Sequence, residues 1–210
     1  MAGLAGRPCA VVALLTVCLG APAPGAAIAG VVKGGVTFHG HALGSDAPAV
    51  DAVVVLHGPK APAAARATID QRQHRFIPRV LAVTVGTTVE FPNHDDVLHN
   101  VYSHSPAQRF DLGLYPPGET RSAVMEKPGV VEIECSAHAD MKAYVIVSDS
   151  PYHAAVSAQG AYRIDDVPPG TYEIELWHPD FEPVKRPLEV PAGAPVLNMD
   201  LDLRTRRSAP

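Results

Sequence analysis

Three things are scarce in this 210-residue sequence: cysteine, positive charge and stretches fit for long helices. Proline takes 21 positions. Inside a helix each proline removes a backbone donor and collides with the preceding turn, so a helical bundle is excluded. Lysine and arginine number 17 against 22 acids, a net charge of −5. Without a basic surface to meet phosphates, nucleic-acid binding is excluded too. No apolar run reaches the ~20 residues of a membrane-crossing helix.

The longest apolar run, residues 9–19, follows Arg7 and precedes small residues ending in Ala27-Ile28-Ala29. A charged start, a short apolar centre and a small-residue cleavage motif have the order of a secretory signal peptide. Residues 1–29 are therefore expected to be removed, leaving an exported, periplasmic chain that starts near Gly30 and has no transmembrane segment. Cys18 is a poor lipoprotein anchor because bulky Val17 precedes it. Cleavage takes Cys9 and Cys18 away, and Cys135 is left alone in a compartment that oxidises and pairs cysteines. Metal ligation is one way to protect it.

What remains reads as short strands separated by turns. Val31, Val32, Val36 and Phe38 form one, and residues 53–56 another, with a Gly/Pro/Asp-rich connection between. Residues 60–66 read as a proline-alanine linker. Leu81, Val83 and Val85, the turn Gly86-Thr87-Thr88, then Val89 and Phe91 have the period of a half-buried hairpin. Phe110, Leu112 and Leu114 alternate likewise. Val131, Ile133 and Cys135 share one strand face, and residues 144–147 form a further strand. Turn signals every eight to twelve residues predict an all-β sandwich. After Ser150, residues 162–164, 172–177, 184–190 and 196–203 continue in strands. That segment is too small for a core of its own, and the strands at 30–58 lack a partner. One sandwich made of both, with residues 68–150 inserted between, resolves the two shortages.

The chemistry gathers in two places. Residues 135–141, Cys-Ser-Ala-His-Ala-Asp-Met, leave a strand end, and residues 93–101, Asn-His-Asp-Asp-Val-Leu-His-Asn-Val, close another. They offer a thiolate, imidazoles and a thioether. Two histidines and a cysteine in a plane with a weak axial methionine make a blue-copper electron-transfer site. Taken singly, a free cysteine is often a small buried hydrophobe and a methionine is core filler; Asp95 and Asp96 read as a solvated loop. Tyr172 and Trp177 read as core. His39, His41, His57, His74, His153 and His178 read as structural or exposed. His94 and His104 are rivals to His99, which is preferred because His-Asn-Val enters a strand.

Phe76-Ile77-Pro78, Leu81-Ala82-Val83, Val85-Gly86-Thr87-Thr88-Val89 with Phe91, His99-Asn100-Val101 and the C-x2-H-x2-M loop together resemble the cupredoxins, of plastocyanin, pseudoazurin and amicyanin type, over residues 68–148. The resemblance implies a cupredoxin Greek-key β-sandwich holding one type 1 copper per chain. Its ligands would be His99 and His138 through imidazole nitrogen, Cys135 through thiolate and Met141 through axial sulfur. It further implies that Asn100 hydrogen-bonds the residue after the cysteine, Ser136, and that the His138 ring edge is the electron port. The two-residue gaps are similar to the short amicyanin loop. Residues 31–57 and 157–177 resemble a carboxypeptidase-regulatory-like, transthyretin-type sandwich, which carries no chemistry.

The domain order expected is thus a signal peptide (1–29), the first strands of the regulatory-like sandwich (30–58), the cupredoxin domain (68–150), the rest of that sandwich (151–203) and a basic tail (204–210). The function expected is single-electron carriage between periplasmic redox proteins such as a c-type cytochrome or a dehydrogenase, and not an enzyme. Copper carriage without redox turnover and a structural zinc site are the alternatives. Methionine is a poor zinc ligand, and a copper chaperone would carry more methionines than Met125, Met141 and Met199.

Overall fold

The computed structural model describes residues 29–39, 51–60, 65–193 and 196–204. The signal-peptide segment, His41 and the tail beyond Arg204 lie outside the described residues, as does most of the 60–66 linker. All regular elements among the described residues are strands. In chain order they are β1 (Gly30–His39), β2 (Val53–His57), β3 (Arg66–Thr68), β4 (Asp70–Gln71), β5 (Phe76–Ile77), β6 (Val80–Thr84), β7 (Thr88–Pro92), β8 (His99–Ser103) and β9 (Phe110–Tyr115). Then follow β10 (Thr120–Val124), β11 (Gly129–Glu134), β12 (Lys142–Ser148), β13 (His153–Ala155), β14 (Ala161–Val167), β15 (Gly170–Trp177), β16 (Val184–Val190), β17 (Val196–Asn198) and β18 (Leu201–Arg204).

These strands enclose two main cores. One sheet runs β14-β1-β17, with β18 also parallel to β1, and a second runs β13-β2-β15-β16. Between them lie Val32, Val54, Leu56, Ile164, Ile174, Leu176 and Leu203. The early strands β1 and β2 pair with strands from after residue 150, which accounts for their lack of local partners. The other core is closed by β10-β7-β3 on one side and β6-β12-β11-β8-β9 on the other. It holds Phe91, Val101, Tyr115, Met125, Ile133, Cys135 and Met141. The expected last strand, 196–203, is split in two where Met199 N bonds to Lys33 O (2.8 Å).

The period-two run over residues 81–91 is not a hairpin. β6 lies parallel to β12, whereas β7 pairs with β10 and β3 in the opposite sheet. Gly86 sits at φ 90 between them, a conformation glycine adopts without penalty, and its N–H bonds to Met125 O (2.8 Å). Alternation reports which face of a strand is buried, and it is blind to which strand lies alongside.

A third, smaller core joins the two sandwiches. Val53, Val55 and Trp177 of one meet Val80 and Ile146 of the other, all buried. Tyr144 packs on Trp177 with ring centroids 5.3 Å apart. Beside it Arg79 reaches Asp51 at 2.9 Å and Asp180 at 3.4 Å. β6 is consequently covered on both faces.

Candidate metal centre

Two neighbouring strands bring the site together. β8 and β11 pair antiparallel with Tyr102 opposite Glu134, and following that register two residues on sets Asn100 opposite Ser136. His99, the first residue of β8, thereby comes beside Cys135, the first residue past β11. The loop from Cys135 returns at Met141, whose N–H bonds to His138 O (3.0 Å), and β12 then pairs back on β11. A seven-residue turn between two hydrogen-bonded strands leaves little freedom for Cys135, His138 and Met141.

Three donor atoms converge there. Nδ1 of His99 lies 3.1 Å from Nδ1 of His138. Cys135 Sγ lies 3.8 Å from the first and 3.7 Å from the second. An ion bonded at roughly 2.0–2.3 Å to nitrogen and sulfur holds its donors at this spacing, so the residues present fit a metal ion. It is the His/Cys cluster of that kind among the described residues. His99 is fully buried and Cys135 is 3% exposed. Met141, 1% exposed, belongs to the same core cluster as Cys135.

Around this triad stands a ring of hydrogen bonds. Asn100 Oδ1 accepts from Ser136 N (2.9 Å), and Asn100 Nδ2 donates to Asp111 (2.7 Å), tying the two donor segments to each other and to β9. Asn93, fully buried, donates through Nδ2 to Val97 O (2.9 Å) and Tyr115 O (3.3 Å), which braces the loop before His99. Burial pushes the Tyr115 hydroxyl up to about 12, so it remains a neutral donor to Phe91 O.

Asp95 does not behave as a solvated loop residue. Its Oδ2 is 2.8 Å from Nε2 of His99, and its side chain is 9% exposed. It also accepts the backbone N–H groups of Gln73 (2.5 Å) and His74 (2.9 Å). Burial pushes its carboxyl up, but those hydrogen bonds outweigh burial and hold it below the ordinary value. A short hairpin supplies the two amides: Arg72 and Arg75 exchange backbone bonds of 3.0 and 3.1 Å across Gln73 and His74. The His74 ring then lies against His138 with centroids 4.8 Å apart, and 5.8 Å from His99. The His138 imidazole is held below its usual range, by burial first and then by His99 and His74, with Asp95 opposing. Neutral imidazole is the form that ligates metal.

The other histidines whose side chains the structure describes stand apart from the triad. His94 is half exposed and pairs with Asp70 (2.6 Å), and His104 packs on Tyr102 (5.1 Å). His57 pairs with Glu175 (2.6 Å) in the other sandwich. Asp95 and His74 left no sequence signal, because spacing along a loop does not say where a carboxylate or ring will point.

No family model matches the chain. A stretch of 59 residues is 34% identical to the methylamine utilization protein MauL of Methylorubrum extorquens, covering 28% of this chain and 52% of that protein, so the chain spans about half the length of that relative. Among solved structures, a purple cupredoxin from Nitrosopumilus maritimus is similar at 30% identity and a TM-score of 0.37, over 39% of this chain and 99% of its own. An amicyanin variant is similar at 21% identity and a TM-score of 0.38, over 47% and 99%. A copper-containing nitrite reductase from Thermus scotoductus is similar at 27% and 0.38, over 53% and 28%.

Proposed function

We propose that residues 68–150 form a cupredoxin-type unit that binds one copper ion through His99, Cys135, His138 and Met141 and carries single electrons between exported redox proteins. In this reading it is set into a regulatory-like sandwich made of residues 30–58 and 151–203. The observation that carries the reading is the convergence of two Nδ1 atoms and one Sγ at 3.1–3.8 Å in a buried pocket. Bound copper would supply the one-electron couple. The chain supplies the rest. Two hydrogen-bonded strands hold the donors in place before metal arrives, Asp95 orients the His99 ring, and Asn100 locks the cysteine segment to the histidine segment. Burial of Cys135 keeps water from its thiol. The 59-residue likeness to a methylamine utilization protein supports redox partners of the expected kind, a dehydrogenase or a c-type cytochrome.

The experiment is to add Cu(II) to the purified exported chain and record visible absorption and EPR. An intense thiolate-to-copper band with narrow hyperfine splitting supports the reading. A pale protein that binds zinc instead would overturn it in favour of a structural site. A blue protein that releases copper on reduction would overturn electron carriage in favour of metal carriage.

A further inference from the structure

The geometry points to His74, on the β4–β5 hairpin, as the outermost group through which electrons pass between this site and its redox partner; the inference rests on the copper reading above. Three imidazoles lie in a row of rising exposure. His99 is fully buried, His138 is partly buried and His74 is exposed. Ring centroids are 4.7 Å apart for His99 and His138 and 4.8 Å for His138 and His74, with interplanar angles of 62° and 64°. His74 is therefore the exposed end of the row, in ring contact with His138.

The hairpin tip adopts a conformation that residues with side chains rarely take. Gln73 and His74 have φ 55 and 56. A two-residue hairpin turn with both central residues at positive φ is normally made by Asn-Gly or Gly-Gly, because a side chain crowds the backbone there. Both backbone N–H groups of this turn go to Asp95, which also holds His99 Nε2. One carboxylate thus sets the positions of the buried ring and of the exposed one. Backbone strain held in place by such an anchor is characteristic of functional positions. Neither Gln73 nor His74 belongs to the donor triad; their amides anchor Asp95, and the same anchor fixes the exposed His74 ring beside His138.

The step transfers one electron and no proton. In the simplest case a Cu(I) copy of the chain is oxidised and a Cu(II) copy is reduced, each through its own His74. The test compares wild type, His74→Ala and His74→Phe. In the metal-free protein, ring contacts between positions 74 and 138 are expected by NMR in wild type and in His74→Phe, and their absence from wild type overturns the proposal. In the copper proteins, the visible band is expected to be unchanged in all three. The self-exchange rate should fall by about tenfold or more in His74→Ala and recover in His74→Phe, since a ring in contact, not a ligand nitrogen, is what counts. An unchanged or faster rate in His74→Ala overturns the inference while a blue wild type leaves the copper reading standing. A wild type without the blue band overturns both.

Discussion

Asp95 grips His99 from behind: its Oδ2 lies 2.8 Å from Nε2, while Nδ1 of the same ring faces His138 and Cys135. This fixes the tautomer, because a proton held at Nε2 leaves the Nδ1 lone pair free for metal. The carboxylate itself stays ionised through the two amides it accepts from the hairpin tip.

Replacing Asp95 by Asn is expected to weaken copper binding by about 10–100-fold, the usual effect of losing the partner of a ligand histidine. It should also raise the reduction potential, since a negative charge near the metal favours Cu(II). Competition with a chelator of known affinity measures the first and a redox titration the second; wild-type values in both would show that Asp95 has no bearing on the metal.

Cys135→Ala should abolish the visible band, because the colour requires thiolate. Met141→Ala should retain copper and colour but shift the potential, since a weak axial sulfur tunes the couple without holding the ion. Survival of the band without Cys135 would refute the ligand assignment.

The small core between the sandwiches should be the stability-limiting contact for their association. Trp177, 5% exposed, fills it from β15 against Val80 and Ile146. Trp177→Ala is expected to destabilise the chain by about 3–5 kcal/mol in urea titration. A loss below 1 kcal/mol would mean that the two cores are energetically independent.

Mild acid should weaken the sandwich built from β1, β2 and β13–β18. Burial holds the His178 imidazole below the usual histidine value, with Asp180 and Asp51 pulling the other way and Arg79 reinforcing the depression. Its Nδ1 accepts the Asp180 N–H (3.1 Å), which only an unprotonated Nδ1 can do. His153 is depressed by burial as well. The unfolded chain takes up these protons near pH ~6.5 and the folded chain takes them up lower. Stability from this source is complete above that pH and is lost as pH falls through the folded values. Thermal midpoints between pH 8 and 5 should show the decline, and His178→Gln should flatten it; a flat wild-type profile contradicts the assignment.

Much of the molecule is legible in its residues. β2 begins at Val53 as its apolar run indicates, and Val131, Ile133 and Cys135 do share a buried face. The register of β8 on β11 then makes the Asn100–Ser136 bond nearly obligatory once His99-Asn100 and Cys135-Ser136 occupy those strand ends. The hairpin expected over residues 81–91 is another matter, since β7 alternates in burial as expected whereas β6 is covered on both faces, and the two belong to opposite sheets. Period follows from burial of one face, and neither strand carries information about its lateral neighbour.

Local order thus settles the all-β class, the strand faces and the placing of Cys135, His138 and Met141 on one short turn, because these depend on side chains a few residues apart. Whether a carboxylate or a ring 4 to 25 residues upstream of His99 reaches the site depends on loop paths that long-range strand pairing dictates. Asp95 and His74 arrive only when β4, β5 and β8 are docked on a common core, and Trp177 meets Ile146 only when two sandwiches close on each other. Such contacts join segments distant in sequence, and their energy exists only in the assembled fold.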